Sequence, residues 1–252
     1  MNYEISSIYI MPVVIATIVL LVFLTATLSR KSMTVMAGNE LDSSIANQAD
    51  NIESWLDENL EFFATAKNTI ESTHPDAIQL QTMLDSYYGF DKNSPDGLYI
   101  GTAGGKMFKA TESKKDTNDP TSTAWYKQGL TRVGMAYGAA YKDASGNNVI
   151  SATGILNDGT DEIKVIAADV TLDQISIIVN SGVKMQDASS FLVDTSDNTI
   201  LAHRDSALAS TTLVENDKDP LMSGVAKALT GSNYADATIA NYMVAYKQIS
   251  VR

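Results

Sequence analysis

An uninterrupted apolar stretch near the N-terminus constrains this chain more than any other feature. The residues from Ile8 to Leu28 include no charged side chain, and roughly 20 apolar residues is the length that crosses a bilayer as an α-helix. A cleaved secretory signal is the alternative, but its apolar core is shorter and is followed by a small-residue cleavage site. The sequence therefore predicts a transmembrane helix that contacts the lipid bilayer through residues 8–28.

A helical pattern continues beyond this stretch without a break signal. Between Asp42 and Ile70 there is neither proline nor glycine. Apolar residues recur there in steps of three and four, which is typical of an amphipathic helix, and Asn59 is the polar exception. The stripe consists of Ile45, Ala49, Ile52, Leu56, Phe63, Ala66 and Ile70, widened by Trp55, Leu60 and Phe62. The pattern predicts one long helix that serves as a spine for the rest of the chain; an ordinary core helix after the membrane anchor is the alternative.

Composition narrows the classes of function. The chain has 252 residues, a formal net charge of -12 and no cysteine. An acidic surface repels phosphate backbones, so nucleic acid is not an expected partner. Without cysteine, disulfides, thiol chemistry and Cys-ligated zinc are excluded. His74 and His203 have no second ligand at metal spacing, and no nucleophile–base set can be assembled, so neither a cofactor nor an enzymatic activity is expected.

Short helices and strands follow the spine. Pro75 is suited to the first turn of a helix, and apolar spacing predicts this helix over 75–88. Residues 98–102 and 106–109 are predicted to form a hairpin, because a Gly-containing turn separates two short apolar segments. A polar loop over 112–123 follows, and we expect strands at 149–155 and 163–170. Antiparallel strands preceded by helices indicate an α+β fold.

A second, smaller unit begins in the same way as the first. A hairpin is predicted over 190–202, a helix over 219–229 and a strand over 239–245. This unit has too few strands to close a sheet comfortably. We therefore expect it to be truncated at Arg252.

Four segments, in this order, resemble the double Cache sensor domains of bacterial chemoreceptors and sensor kinases. Segment 119–128, DPTSTAWYKQ, is similar to the family's Asp-Pro-X-X-Arg-Pro-Trp-Tyr-Lys motif, and segment 141–151, YKDASGNNVIS, is similar to its Tyr-X-Asp turn and strand. Segment 168–172, ADVTL, resembles the family's junction between a strand and a helix. Residues 191–194, FLVD, followed by ILAH at 200–203, resemble the opening of the membrane-proximal module. The resemblance covers nearly all of residues 30–252.

The resemblance implies a domain organisation and a location. It implies a transmembrane helix over 1–30, a spine helix over 31–74, a membrane-distal PAS-like ligand-binding module over 75–183 and an incomplete membrane-proximal PAS-like module over 184–252. These two stacked modules would lie outside the cytoplasm. Arg30 and Lys31 follow the apolar stretch and, read alone by the positive-inside rule, argue for the opposite orientation. For the orientation we give the resemblance more weight than these two charges. The apolar stripe of the spine is wider than one module needs, so we also expect a homodimer along the spine.

Six residues are candidates for contacting a ligand. Aromatic rings at Trp125, Tyr126 and Tyr141 can stack on a planar group or cage a cation, although Trp125 and Tyr141 fit core packing equally well. Asp169 ends an apolar strand, where it either helps to cap the next helix or faces the pocket and holds an ammonium group. In the resembled family this position commonly contacts the ligand amine. The remaining candidates are Asp143, for which an Asx-type turn is the alternative, and Thr123.

Thr123 stands at the point where the chain departs from the amino-acid-binding members of that family. These members carry arginine two residues before the tryptophan and tyrosine at the position of Asn118. Without the guanidinium, the bidentate clamp for a carboxylate is missing. We therefore expect a small ligand that is cationic or carries N–H donors, such as an amine or a heterocyclic base, in preference to a standard α-amino acid.

The predicted function is ligand sensing by a bacterial transmembrane chemoreceptor in the cell membrane, without enzymatic activity. The sensor domain of a histidine kinase or of a cyclic-dinucleotide enzyme is an alternative that differs only in the output module. A membrane-anchored adhesive or structural surface protein is a third interpretation, and it predicts no closed pocket near Trp125 and Asp169.

Overall fold

The computed structural model describes residues 3–115, 119–143, 146–182, 187–205 and 207–249. By their internal contacts, the residues form two units, 1–44 and 45–252, and each unit is described separately below. The motif residue Asn118 and part of the turn after Asp143 lie outside the described residues.

The first helix, α1, runs from Tyr3 to Thr73, which confirms the prediction of one continuous helix through the apolar stretch and the amphipathic stripe. In the first unit its apolar side chains, such as Val19, Phe23 and Leu28, are exposed to more than half of their surface. A helix from Thr17 onwards is long and apolar enough to cross a membrane. By length and composition alone, the apolar part of this unit is a candidate membrane-spanning segment.

In the second unit, the predicted stripe of α1 is buried from Ala49 onwards, whereas its first member, Ile45, is half-buried. Ala49, Ile52, Leu56, Phe63, Ala66 and Ile70 each expose 4% or less of their surface. The polar exception, Asn59, is also buried, and its side-chain amide donates to the carbonyl of Trp55 at 2.7 Å. This local bond satisfies the amide without a partner from another element, so the polar residue interrupts the stripe without breaking the helix.

The second helix begins later than predicted. Helix α2 is Ala77–Tyr87, so the expectation that Pro75 lies in its first turn is wrong. The Asp76 carboxylate accepts from the backbone N–H groups of Ile78 and Gln79 at 2.9 Å, and the Gln79 side chain accepts from the Asp76 N–H at 3.0 Å. This capping box fixes the helix start two residues after the proline.

The remaining elements alternate as expected for an α+β fold. In chain order they are β1 (Leu98–Thr102), β2 (Met107–Lys109), a 3-10 turn (Pro120–Ser122), α3 (Ala124–Gly129), β3 (Ala136–Tyr137), β4 (Tyr141–Lys142), β5 (Asn148–Leu156), β6 (Lys164–Thr171), α4 (Asp173–Gly182), β7 (Phe191–Asp194), β8 (Thr199–His203), α5 (Pro220–Thr230), β9 (Ala237–Ile239) and β10 (Tyr242–Val244). The α+β class is thereby confirmed.

A six-stranded antiparallel sheet forms the centre of the second unit. Its order is β2-β1-β6-β5-β3, and β4 pairs with the end of β5 beyond β3. The two long strands β5 and β6 pair over their whole length, with Ser151 opposite Asp169 and Ala152 opposite Ala168. Because side chains alternate between the faces of a strand, this register determines which residues share a face.

One face of the sheet packs on α1, α2 and α4, and the other packs on α3 and carries both a second apolar cluster and the polar groups around Asp169. Ile166, Ala168 and Val170 of β6 are fully buried and pack with the stripe of α1 and with residues of α2 and α4. The alternate residues of β6 point to the opposite face; among them Asp169 is the single charged side chain, and it is 7% exposed. A charge on a buried face requires compensating partners, and these partners define the candidate site.

A small separate core lies in the C-terminal part of the second unit. Ile200, Leu213, Val225 and Ala226 are buried together, and β7 pairs with β8 while β9 pairs with β10 in two-stranded sheets. The predicted hairpin and helix of residues 184–252 agree with β7, β8 and α5. The single strand predicted over 239–245 is wrong, because Ala240 and Asn241 adopt positive φ and turn the chain between β9 and β10, which pair with each other. The division into modules at residues 183 and 184 stays a prediction.

Candidate functional site

Three hydroxyl groups converge on one oxygen of Asp169. The hydroxyls of Tyr99 on β1 and Ser151 on β5 each donate to Asp169 Oδ1 at 2.6 Å, and the hydroxyl of Tyr141 on β4 donates at 3.0 Å. Strand register explains the convergence, because Ser151 lies directly opposite Asp169 and Tyr99 lies opposite Ala167, its neighbour on the same face. Hydrogen bonds of this kind stabilise the ionised carboxylate.

The other oxygen of Asp169 holds a cation that belongs to the chain itself. The Lys115 ammonium forms an ion pair with Asp169 Oδ2, in a site where both side chains are at least 86% buried. The same ammonium lies 4.1 Å from the centre of the Tyr99 ring, which is cation–π distance. A carboxylate and an aromatic face therefore hold a primary ammonium group in this structure.

The loop that carries Lys115 is fixed through its backbone. Lys109 Nζ donates to the carbonyls of Ser113 and Lys115 at 2.6 and 2.7 Å. The Ser113 hydroxyl donates to the Asp96 carboxylate at 2.8 Å. The sequence shows only a polar loop here, but these contacts anchor it to β2 and place the lysine above the sheet.

Burial controls the charge states around Asp169. Burial lowers the pKa of Lys115 to about 8, while the negative charges of Asp96 and Asp143 oppose this shift. Burial also raises the pKa of both Tyr99 and Tyr141, so both phenols stay protonated near neutral pH and can donate. The site thus combines fixed hydroxyl donors, one carboxylate and one amine whose charge is sensitive to mildly alkaline pH.

Trp125 and Tyr126 form an aromatic cluster with Tyr99 on this face. The Trp125 and Tyr99 rings meet edge to face at 4.8 Å, and the Trp125 and Tyr126 rings do so at 5.8 Å. A side chain at Gly101 would place its Cβ 2.8 Å from the Trp125 ring, so glycine at that position of β1 permits the close approach. Tyr99 contacts both Trp125 and Asp169 and so connects the two predicted halves of the site.

Thr123 and Asp143 make local contacts. Thr123 is the N-cap of α3: its hydroxyl accepts from the Tyr126 N–H at 3.4 Å and donates to the Pro120 carbonyl at 2.6 Å. The Asp143 carboxylate accepts from the backbone and side-chain N–H groups of Asn147 at 2.8 and 3.2 Å. These contacts position α3 and the turn after β4, and ligand contact by either residue stays a prediction.

The Tyr126 hydroxyl has no hydrogen-bond partner among the described residues, although the side chain is only 3% exposed. A buried donor without a partner reduces stability. Replacing Tyr126 with phenylalanine should therefore leave the free energy of unfolding unchanged or raise it by up to about 1 kcal/mol. Urea denaturation measures this change.

The matched control is Tyr137→Phe. The Tyr137 hydroxyl is also buried, but it donates to the Leu56 carbonyl at 3.0 Å. Its removal should lower the free energy of unfolding by about 1 to 2 kcal/mol, because an acceptor loses its partner. Equal losses in the two variants would show that the Tyr126 hydroxyl is bonded in solution.

The structure places the predicted residues Asp169, Tyr141, Trp125 and Tyr126 near one another, and it adds three residues that the sequence did not suggest. Ligand contact by the predicted residues stays a prediction. Tyr99 and Ser151 carry a weak signal: each is a hydroxyl residue on the face of a buried strand opposite to the apolar one. Lys115 carries no local signal, because it lies in a charged loop 54 positions before the carboxylate that it contacts. Only the fold brings it to Asp169.

The two histidines form no catalytic or metal-binding group with other described residues. His203 Nδ1 accepts from the Asp205 N–H at 2.8 Å within a turn, and His74 Nδ1 lies 2.8 Å from the Asp158 carbonyl. In the part of the chain that the structure describes, no group of three His, Cys, Asp or Glu side chains could hold a metal ion. An open hollow of about 440 Å³ borders His203 and Arg204 but lacks a buried polar group directed into it.

Comparison with known proteins places the fold. No protein-family profile and no curated protein sequence matches this chain. The ligand-binding domain of the Pseudomonas fluorescens chemoreceptor CtaA, solved with L-valine, matches with a TM-score of 0.57, 25% identity and coverage of 70% of this chain and 79% of that domain. The domain of the Pseudomonas aeruginosa amino acid chemoreceptor PctC, solved with GABA, matches with a TM-score of 0.62, 22% identity and coverage of 82% and 89%.

A third similar structure is the ligand-binding domain of the Campylobacter jejuni chemoreceptor Tlp3 with 4-methylisoleucine, at a TM-score of 0.57, 17% identity and coverage of 73% and 75%. The chain has the fold of bacterial chemoreceptor ligand-binding domains. The resemblance to double Cache sensor domains is confirmed at the level of this fold.

Proposed function

We propose that this chain is the extracytoplasmic sensing part of a bacterial transmembrane chemoreceptor. The fold supports a sensor, and the apolar part of α1 supports a membrane anchor through residues 8–28. In this proposal the modules 75–183 and 184–252 lie outside the cytoplasm, the chain acts as a homodimer along α1, and it performs no enzymatic reaction.

The ligand in this proposal is a small cationic or N–H-bearing metabolite. The observation that carries it is the buried Asp169 carboxylate, which keeps Oδ2 for a cation while three hydroxyls donate to Oδ1. Trp125 and Tyr126 provide aromatic surface on the same face, and Tyr99 supplies a ring that already contacts an ammonium. Such a carboxylate and ring pair favours an ammonium or a protonated heterocycle over an anion.

In this proposal the site lacks a strong partner for a ligand carboxylate. Thr123 stands where the resembled amino-acid receptors carry arginine, and its hydroxyl bonds to the Pro120 carbonyl. The guanidinium of Arg132 donates to the Ala136 carbonyl and to the Thr153 hydroxyl at 2.7 and 3.2 Å. Both bonds come from Nη1, so they fix the direction of the guanidinium and leave a carboxylate only its remaining N–H groups in that orientation. Because similar receptors were solved with amino acids, the ligand screen includes L-α-amino acids for comparison.

Signalling follows from differential affinity. A ligand shifts the packing of the sheet on α1 only when it binds one arrangement better than the other. Ser151 contacts Asp169 directly, and the next residue on β5, Ala152, is fully buried in the core that contains α1. A change of partner at Asp169 thus acts on a strand that packs against the helix leading to the membrane.

A ligand screen tests this proposal. The chain in detergent is heated with primary amines, quaternary ammonium ions, purine bases and L-α-amino acids, and binding is confirmed by calorimetry. We expect the largest rises in melting temperature from carboxylate-free cations or bases, since a ligand at 100 times its dissociation constant adds about 2.7 kcal/mol of stability. Tight binding of an ordinary α-amino acid, with no response to amines or bases, would refute the ligand class.

A further inference from the structure

The Lys115 side chain occupies the place that the proposed function gives to a ligand cation. Its ammonium contacts Asp169 Oδ2 and lies 4.1 Å from the centre of the Tyr99 ring. These are the two contacts, a carboxylate and an aromatic face, by which proteins hold ammonium ligands. The described structure therefore shows a cation site that is already filled from within the chain.

The backbone and the side chain of Lys115 are held by different contacts. Lys109 holds the Lys115 carbonyl, and the Lys115 N–H donates to the Ser113 hydroxyl at 3.2 Å. Among the contacts described for the ammonium, those with Asp169 and Tyr99 keep it in the site. A lysine stem is flexible, and this side chain keeps 14% of its surface exposed. The ammonium can leave Asp169 while the loop stays in place.

The ion pair of Lys164 with Asp158 provides a contrast within the same molecule. Lys164 Nζ lies 2.5 Å from Asp158 Oδ2, and both side chains are 11% exposed. Asp158 also accepts from the hydroxyl and the N–H of Thr160, so this pair closes a turn next to β6. Within the described residues, a ring face meets the ammonium of Lys115 and not that of Lys164.

We infer that Lys115 is an internal occupant of the Asp169 cation site and that an external cation binds by displacing it. This inference rests on the proposed function, because it describes how that site is regulated. A tethered group acts at an effective concentration of the order of millimolar. Competition with the lysine would thus lower the apparent affinity of every external cation. Only cations that interact more strongly with Asp169 and the aromatic cluster would then bind.

A pH dependence follows from the same competition. Asp169 and the Tyr99 ring contact the Lys115 ammonium, the negative charges of Asp96 and Asp143 act on it, and Tyr141 contacts the same carboxylate of Asp169. The pKa of Lys115 is lowered to about 8, whereas the pKa values of both tyrosines are raised by burial. Above its pKa the lysine is neutral and no longer competes as a cation, while the phenols keep their protons. Binding of an external cation should therefore strengthen as the pH rises through 8.

The test uses n-propylammonium chloride as the external cation and Lys115→Ala as the variant. The melting temperature of the 252-residue chain in detergent is measured over about 1 to 100 mM probe, a range that spans the effective concentration of a tethered group. Potassium chloride and n-propanol control for salt and for the alkyl chain. Lys164→Ala is the matched variant, because it removes an equally buried ammonium from a pair without a ring face.

We expect propylammonium to raise the melting temperature of Lys115→Ala by several degrees, and the controls to have no such effect. The half-maximal effect should need at least about 10-fold less probe in Lys115→Ala than in the wild type. Between about pH 7 and about pH 9, on either side of the lowered pKa of Lys115, the wild-type response should increase and the variant response should stay constant. Lys164→Ala should respond as the wild type does.

With a folded Lys115→Ala variant, two results would overturn the inference. One is a folded Lys115→Ala that responds equally to propylammonium and to potassium chloride; the other is an equal propylammonium response in wild type and variant. If Lys115→Ala is unfolded without additive, propylammonium should restore a cooperative transition, and an unchanged unfolded state would count against the inference. Failure of the proposed function is separate, because it appears as a wild-type chain that binds no amine or base in the ligand screen.

Discussion

Replacing Asp169 with asparagine is expected to weaken the binding of any cationic ligand by at least about 100-fold. The change keeps the size of the side chain but removes the charge that pairs with an ammonium, and a buried charge-assisted contact that loses one partner costs about 3 to 5 kcal/mol. Calorimetric titration with the best amine from the screen measures the loss. Asp158→Asn, which alters the other described buried lysine pair on the sheet, should leave the affinity unchanged.

The same substitution also leaves the Lys115 ammonium without its partner, so loss of folding must be separated from loss of binding. The double variant Lys115→Met/Asp169→Asn removes both charges, and replacing a buried ion pair by neutral groups is often neutral or stabilising. We expect it to melt near the wild-type temperature and still fail to bind amines. Amine binding of wild-type strength by this double variant would show that Asp169 does not hold the ligand.

Replacing Trp125 with alanine is expected to lower the free energy of unfolding by about 3 to 5 kcal/mol, the range for a buried aromatic side chain. The indole is 6% exposed and packs against Tyr99 and Tyr126. Its loss opens a cavity beside Tyr99, whose hydroxyl must stay aligned with Asp169. Urea denaturation gives the stability, and calorimetry should show weaker amine binding in the folded variant.

Trp55 supplies the control for this experiment. It is only partly buried on α1 and packs at the margin of the main core, so Trp55→Ala should cost less than Trp125→Ala and should leave amine affinity unchanged. A loss below about 0.5 kcal/mol for Trp125→Ala, which is the range of ordinary surface substitutions, would mean that the aromatic cluster is not the packed support described above.

The periodic parts of the fold were predictable because one physical pattern determines each of them. The 3.6-residue spacing identified the buried stripe of α1 from Ala49 to Ile70, including its polar exception, Asn59. The hairpin of β1 and β2 followed from a glycine-containing turn between short strands. The start of α2 was missed because the Asp76 cap competes successfully with the proline signal at Pro75.

The candidate site was only partly predictable, because its contacts join elements that are distant in sequence. Asp169 could be suspected from a charge at the end of an apolar strand. Its partners depend on register: a shift of β5 by one residue would move Ser151 to the helix-facing side. Lys115 depends on how a loop folds over the sheet, and loop conformation leaves no periodic signal in the sequence.

The contact of Lys115 with Asp169 adds information about the ligand that the sequence alone did not provide. Loss of the arginine before Trp125 suggested only what the ligand lacks. The ion pair of Lys115 with Asp169 places a cation of the chain itself at the candidate site, and in our inference this is the group that a ligand replaces. The ligand class and the internal occupant are therefore tested by different substitutions, Asp169→Asn and Lys115→Ala.

The central claim is that an external cation binds at Asp169 in exchange for Lys115. A crystal structure of the protein with the amine that raises its melting temperature most tests this claim directly. The account predicts a ligand nitrogen at hydrogen-bond distance from Asp169 Oδ2, next to the Tyr99 ring, with the Lys115 ammonium moved away. A ligand bound elsewhere, with the Lys115 ammonium still paired to Asp169, would contradict it.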